Sequence, residues 1–200
     1  MHIKQSIFCG LLAIGALTAT SGAAVVQITS TTAQGPTVHI GDMVTVTVAA
    51  SVSGEQDGTD GIFTFDQNFI VASSGSPFEI VSVNRPGVDA LYGGSDGTAS
   101  STGVDAIYGA YDGESEGIGS PVTLYTVTLE AVGLGSATLS SGPSVTPEGT
   151  DILLNESSSP SVGYLIGPTV QVVAVPEPGA MVGMMGMAGC VIGSRKRRVG

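Results

Sequence analysis

The sequence predicts an all-β fold, a sandwich of two sheets, between residues 25 and 174. Apolar and polar residues alternate in MVTVTVA, where threonines separate Val44, Val46 and Val48, and such a period of two is typical of a half-buried strand. The same alternation returns over Tyr125–Ala131. Turn-forming residues separate the apolar runs, and no segment of this region has the period of an amphipathic helix. Short strands joined by frequent turns favour a two-sheet sandwich.

Six further segments are predicted to be strands because apolar and β-branched residues recur in them between turn signals. These segments are Val25–Thr29, Gly61–Val71, Phe78–Val83, Ser136–Ser140, Gly163–Ile166 and Val170–Ala174. Both cysteines, Cys9 and Cys190, lie outside the region. No disulfide can therefore hold the predicted sandwich, which must depend on its own core or on bound ions.

Residues 1–24 are predicted to be a secretory signal peptide. Lys4 precedes an apolar run over Ile7–Leu17, and small residues continue to Ala24; this is the order of charge, apolar core and cleavage site in such signals. Cleavage after Ala23 or after Ala24 would satisfy the preference for small residues. The apolar run is short for a permanent anchor. We therefore expect export of the chain, with the Sec translocon as its partner.

Residues 175–200 form a tail in three parts. A Pro-Glu-Pro motif (Pro176, Glu177, Pro178) is followed by the uncharged segment 179–194 and then by Arg195, Lys196, Arg197 and Arg198. Sixteen helical residues would be about 24 Å long, which is short for a span but usable in a thin bilayer. Since basic residues stay on the cytoplasmic side, the four basic residues are predicted to be a membrane stop, with the domain outside.

The tail resembles the PEP-CTERM sorting domain of exopolysaccharide-producing bacteria, in which the same three parts follow one another. The resemblance covers residues 175–200 and implies processing by an exosortase, a membrane-embedded cysteine protease-transpeptidase. An ordinary single-span anchor would explain the helix and the basic residues, but not the Pro-Glu-Pro motif directly before them. The two prolines hold the motif extended. We expect a chain anchored in the inner membrane before sorting, and then at the envelope surface or outside the cell.

The charge of the predicted domain excludes nucleic acid as a partner. Between Val25 and Val175 the single basic residue, Arg85, stands against sixteen acidic residues, which gives a net charge of −15. Such a field repels anionic polymers and favours solubility and cation binding.

Three segments of the domain resemble the cohesin-like sandwich, a fold of jelly-roll type. Val38–Asp42 leads through a Gly-Asp turn into a Val-rich strand, Gly61–Asp66 ends in an aromatic-Asp pair, and Leu124–Ser141 contains a strand, a small-residue turn and a Thr-Leu strand. One departure is that Gln67-Asn68 follows the aromatic-Asp pair where that family has proline. No dockerin-type calcium loop occurs, so the resemblance implies no cellulosome role.

The segment Gly87–Gly97 returns sixteen residues later as Gly103–Gly113, with eight of eleven positions identical. One interpretation is a duplicated β-strand and Asp-Gly turn whose two copies pair as neighbours. In the other interpretation, carboxylate oxygens of the two copies bind calcium. The candidate ligands are Asp89, Asp96, Asp105 and Asp112. Neither copy has the spacing of an EF-hand or of a nonapeptide calcium repeat. The structural interpretation is therefore favoured, and calcium is the one cofactor considered.

Catalysis is not expected, because the sequence lacks the residues for the common catalytic sites. Removal of the signal leaves His39 as the single histidine, so a Ser-His-Asp triad or a histidine-ligated zinc site is hard to build. We favour a structural or adhesive surface or matrix protein, with exopolysaccharide or another surface protein as its partner. The alternative is a cohesin-like module that binds protein or carbohydrate through one sheet face, which exposed aromatic residues on a flat sheet would favour.

A secreted hydrolase is the third interpretation, because acidic residues are plentiful enough for a pair of catalytic carboxylates. The chain has no Trp and five Tyr, whereas glycosidase clefts are usually lined by aromatic side chains. A deep cleft with two converging carboxylates would favour this interpretation.

Overall fold

The computed structural model describes residues 24–54, 60–88, 93–112, 116–144, 151–155 and 160–176. Within these ranges the chain forms β-strands and no helix. The strands are β1 Val25–Thr32, β2 Thr37–His39, β3 Met43–Ser53, β4 Ile62–Ser73, β5 Phe78–Asn84, β6 Gly94–Ser100, β7 Gly103–Ala110, β8 Val122–Ala131, β9 Gly135–Pro143, β10 Ile152–Leu154, β11 Ser161–Tyr164 and β12 Thr169–Val173. Residues 1–23 of the predicted signal peptide, which spans residues 1–24, lie outside the described residues, and so does the predicted tail helix, residues 179–194.

The strands form two sheets, which confirms the predicted all-β sandwich. Sheet A has five strands in the order β11-β1-β3-β8-β5, and sheet B has the order β2-β12-β9-β4-β7-β6, with β10 also paired to β4. The pairs β1–β11 and β2–β12 are parallel. The other pairs among the described strands are antiparallel.

The alternation that predicted the central strands also sets which side chains form the core. In β3 the side chains of Val44, Val46 and Val48 are fully buried, whereas the intervening threonines are half-buried on the outer face. Val127 of β8 lies directly opposite Val46 and is equally buried. Full burial of one such side chain stabilises the fold by about 1.5–3 kcal/mol. The predicted faces of β3 are therefore confirmed.

The Gln-Asn pair that departs from the cohesin-like pattern supports a bulge in β4. The register between β4 and β7 shifts between Gln67 and Phe69. The Asn68 side-chain oxygen accepts the backbone N–H of Ala106 at 2.9 Å, and Ala106 has a φ of 57°, a conformation that residues other than glycine rarely adopt. Asn68 thus stabilises the strained residue opposite the bulge, a contact that a proline at this position could not make.

Gln67 is fully buried and links the two sheets through a polar network. Its Oε1 accepts a hydrogen bond from the Ser141 hydroxyl at 2.7 Å, and its Nε2 donates to the Tyr164 hydroxyl at 3.1 Å. The Tyr125 hydroxyl lies 2.8 Å from the Ser141 Oγ. Because a buried polar group without a partner is costly, the network specifies one arrangement of these side chains.

The described residues of the two copies differ in structure, so the interpretation as a duplicated strand and turn is wrong for the start of the first copy and for its Asp96-Gly97 dipeptide. The copies do pair, since Gly94–Asp96 of the first lies opposite Ile107–Gly109 of the second. However, Gly103–Ala110 is strand β7, whereas Gly87 and Val88 at the start of the first copy lie outside the strands. Asp96-Gly97 lies within β6 rather than in a turn. Identical residues of the two copies therefore differ in structure.

The register places the two ends of the described chain at opposite ends of the sandwich. Val25 lies opposite Ser53 at one end, which we call the far end. Met43 lies opposite Glu130 at the other, which we call the exit end. Strand β12 runs towards the exit end, because Val173 pairs with His39 just before the turn into β3. The chain therefore leaves the sandwich at the end opposite the one where it enters.

The two faces of β3 predict opposite responses to a new charge. Val46→Asp places an unpaired carboxylate in the apolar core, and we expect a loss of more than about 4 kcal/mol in the free energy of unfolding. Thr47→Asp, one residue away on the outer face, should cost about 1 kcal/mol because only strand propensity and surface contacts change. Urea denaturation followed by circular dichroism measures both. Equal losses for the two variants would contradict the assigned faces.

Candidate functional site

Of the predicted sorting residues, Pro176 is the one that the structure describes. It is exposed, and two exposed residues, Ala174 and Val175, separate it from the last residue of β12. Glu177 and Pro178 of the motif lie outside the described residues, as do Arg195, Lys196, Arg197 and Arg198 of the membrane stop. Their roles remain predictions from the sequence.

The candidate calcium ligands do not come together in the part of the chain that the structure describes. Asp96, Asp105 and Asp112 are all exposed, and Asp96 pairs with Arg85. Asp89 lies outside the described residues. In the described ranges no three His, Cys, Asp or Glu side chains form a group that could hold a metal ion. Calcium binding remains a prediction that rests on the sequence.

Arg85 forms a clasp between the two sheets along the side of the sandwich where edge strands β5 and β6 face each other. It directly follows β5 of sheet A, and its Nε donates to the Asp96 carboxylate on β6 of sheet B at 2.8 Å. Its Nη1 donates to the backbone carbonyl of Tyr108 on β7 at 2.9 Å. The Arg85 side chain is 19% exposed and the Asp96 side chain 62%. The guanidinium thus joins the edge of one sheet to two strands of the other.

Gly94 provides the space that the Arg85 guanidinium occupies. A Cβ atom added at this glycine would lie 1.7 Å from Arg85 Nη1 and 3.1 Å from the Tyr108 carbonyl oxygen. The clasp was not predicted from the sequence, where the one signal for it was that Arg85 is the single basic residue in a strongly acidic region.

Two open clefts lie along this side of the sandwich, and neither contains a pair of converging carboxylates. The first, of about 400 Å³, is lined by residues of β5 and of the β6–β7 turn, and Glu79 is its one carboxylate. The second, of about 500 Å³, contains Arg85 and its partner Asp96. The clefts therefore do not favour a glycosidase.

The outer face of sheet A carries rows of hydroxyl side chains across adjacent strands. Thr31, Thr47 and Thr126 lie opposite one another on β1, β3 and β8. Thr45 and Thr128 form the next row on β3 and β8. The threonines of β3 and β8 in these rows are half-buried, so part of each side chain is accessible. This face, which we call the hydroxyl face, can donate and accept hydrogen bonds along an extended partner.

Aromatic side chains do not form an exposed platform in the described ranges. Phe65, Phe69, Phe78, Tyr111 and Tyr125 are buried, and Phe63, Tyr108 and Tyr164 are half-buried. His39 lies on β2 with its Nδ1 3.6 Å from the Asp42 carboxylate. The described residues also include no helix that is long and apolar enough to cross a membrane.

No protein-family model and no curated protein matches the sequence. Among solved structures, the chain is similar to a cohesin module of a family 33 glycoside hydrolase from Clostridium perfringens, with 10% identity and a TM-score of 0.48 over 74% of this chain and 98% of that one. It is also similar to the seventh ScaB type I cohesin from Pseudobacteroides cellulosolvens, with 9% identity and a TM-score of 0.44 over 78% and 96%.

A third similar structure is the third cohesin of ScaC from Acetivibrio cellulolyticus, solved with the ScaB dockerin, with 10% identity and a TM-score of 0.44 over 76% of this chain and 99% of that one. Likenesses at these scores carry no argument about function. The two-sheet sandwich follows from the strand pairing itself, and cohesin modules are among its structural neighbours.

The clasp predicts that Arg85 and Gly94 depend on each other. Arg85→Ala should lower the free energy of unfolding by about 1–2 kcal/mol, because a charge-assisted contact to Asp96 and a hydrogen bond to β7 are lost at a partly exposed site. Gly94→Ala should cost a similar amount in the wild type, since the new methyl group displaces the guanidinium. In the Arg85→Ala background it should cost little. A double-mutant cycle in urea measures this coupling.

Thr98→Ala, at an exposed position on the same strand, is the control and should be additive with Arg85→Ala. If Gly94→Ala proves equally additive, the guanidinium does not occupy the space over Gly94.

Proposed function

We propose that the chain is an exported, non-catalytic protein of the cell envelope, a structural or adhesive module that an exosortase sorts through the C-terminal tail. The sandwich is the displayed part, and the tail holds it at the membrane until processing. The observation that carries the proposal is the direct connection between the last strand and the sorting motif at the exit end.

The connection is short and accessible. Only Ala174 and Val175 lie between β12 and Pro176, and all three are exposed. A protease requires an extended, accessible substrate, and a motif with two prolines satisfies this requirement without competing for a place in the sheet. Because the chain leaves the sandwich at the exit end, this is the end to which the tail is joined.

The lack of a catalytic arrangement in the described ranges supports a binding or structural role rather than an enzymatic one. The two clefts each hold one carboxylate, and the one described histidine is paired with Asp42 on the surface. Tyr111 and Tyr125 are also unsuited to proton transfer, because burial raises the pKa of each hydroxyl.

The second candidate function is recognition of a protein or carbohydrate through one sheet face, and the hydroxyl face favours it. Thr31, Thr47 and Thr126 form a row across three strands, so their hydroxyl groups repeat at about the 4.8 Å spacing of neighbouring strands. An extended polymer with regular polar groups could bind along this row. Thr47→Asp should leave the fold intact while it places a charge in this row. A partner that binds through the hydroxyl face should therefore bind this variant more weakly than the wild type.

Sorting is tested by removing parts of the tail in the host. Deletion of residues 179–200 should convert the protein into a freely exported soluble form, because the apolar segment and the membrane stop are lost. Glu177→Gln keeps both of these and should instead leave the protein in the inner membrane, because the carboxylate for recognition is lost. Fractionation and immunoblotting measure both outcomes.

Thr98→Ala, far from the tail in sequence, is the matched control and should behave as the wild type. If the truncated and full chains partition identically, the tail is not a membrane segment. If the wild type is retained in the inner membrane as Glu177→Gln is, the tail is an ordinary anchor and not a sorting signal. If Glu177→Gln is released like the wild type, processing does not depend on the Glu177 carboxylate.

A further inference from the structure

Exposed apolar side chains are concentrated at the exit end of the sandwich. Of the ten large apolar residues that are exposed in the described ranges, five lie at this end. These five, which we call the apolar tip, are Ile40, Met43, Val132, Leu134 and Val175. Single exposed apolar residues are ordinary on a protein surface, but a group of them at one end marks an interaction surface.

Backbone hydrogen bonds hold the segments of the apolar tip together. The N–H of Ile40 donates to the carbonyl of Val173 at 3.3 Å, which joins the turn after β2 to the end of β12. The N–H of Gly41 donates to the carbonyl of Ala131 at 2.8 Å, next to the turn that carries Val132 and Leu134. The tip is thus a fixed part of the fold, with Leu134 62% exposed at its edge.

The length of the chain after β12 keeps the tip close to a membrane that contains the tail. Five residues, 174–178, lie between Val173 and the uncharged segment that begins at residue 179. Five fully extended residues span at most about 18 Å. A surface tethered this closely is presented at a high effective concentration, so weak contacts are sufficient for binding.

The charges at the exit end indicate which surface the tip contacts. Met43 lies in register with Glu130 and Glu79 on the neighbouring strands, and Asp42 is in the adjacent turn. Among the described residues at this end, His39 alone could carry a positive charge, and it pairs with Asp42. Attraction to anionic headgroups is therefore absent, and the contact must come from apolar burial against neutral lipid.

We propose that the apolar tip rests on the lipid surface while the tail is in the membrane, so that the sandwich stands on its exit end with the far end outward. The inference rests on the proposed function, since the tail must enter the bilayer. It adds an orientation and a second contact that the tail alone does not provide. Removal of the tail by processing would release both contacts together.

The test compares two labelled positions at opposite ends of β3 and its neighbours. The mature chain, residues 24–200, with Cys190 replaced by serine, carries a single cysteine as Leu134→Cys at the tip or as Ser53→Cys at the far end. The eleven residues of β3 separate the two ends by about 36 Å. Each variant is labelled with a fluorescent dye and added to phosphatidylcholine vesicles that contain a lipid with a quencher on its headgroup.

The expected result is loss of fluorescence at residue 134 and none at residue 53, in chains that float with the vesicles. Replacing part of the phosphatidylcholine by phosphatidylglycerol should reduce the loss at residue 134, because the carboxylates of Asp42, Glu79 and Glu130 beside the tip repel anionic lipid. Ile40→Asp should reduce it further, whereas Ile166→Asp, at an exposed apolar residue outside the tip, should leave it unchanged.

Chains that float with equal, weak quenching at both positions would overturn the inference and leave the tail as an anchor. Quenching at residue 134 that appears only when a processing enzyme is present in the vesicles would also overturn it, because the tip would then contact protein. Chains that do not float would contradict the proposed membrane tail, and the inference with it.

Discussion

The contact between the two sheets is the feature on which the rest of the structure depends, because no cysteine between residues 25 and 174 can join them covalently. Tyr125 of sheet A makes much of this contact. Its ring stacks on Phe65 of sheet B at a centroid distance of 6.1 Å, and its hydroxyl lies 2.8 Å from the Ser141 Oγ. Tyr111 makes a second connection, with its hydroxyl donating to the Thr123 carbonyl. These contacts combine apolar burial with satisfied polar groups.

Burial of one face of each sheet against the other explains which parts of the fold could be predicted from the sequence. The period of two in β3 and β8 predicted both strands and their faces, because each strand has one buried face and one face towards solvent. Strands β2 and β10, with three residues each, are too short for such a pattern. Strand β6 was missed because GSDGTAS is almost wholly exposed and has no apolar alternation.

The clasp and the polar network could not be predicted, because they join residues that are distant in the sequence. Gln67 and its partner Ser141 are 74 positions apart, and the space over Gly94 is defined by the path of the Arg85 side chain. The Gln-Asn pair was visible as a departure from the cohesin-like pattern, but its partner Ala106 was not. The repeat led to a wrong expectation for the same reason, since sheet position and not local sequence decided the structure of each copy.

The direction of the last strand connects the fold to the proposed sorting tail. Strand β12 pairs in parallel with β2, and this pairing brings the chain to the exit end at Val173, three residues before Pro176. The apolar tip lies at the same end of the sandwich as the start of the tail. In the proposed function, sorting, orientation and release would all depend on the few residues after Val173.

The most direct test of this account is the mass of the mature protein isolated from host cells with and without the processing enzyme. The account predicts a chain without residues 1–23 in both cases. Ala24 should be retained, because it is buried and its carbonyl accepts the N–H of Ser161. The basic residues Arg195–Arg198 should be absent when the enzyme is present and retained when it is deleted. A mature chain that keeps these residues in the presence of the enzyme would contradict the account.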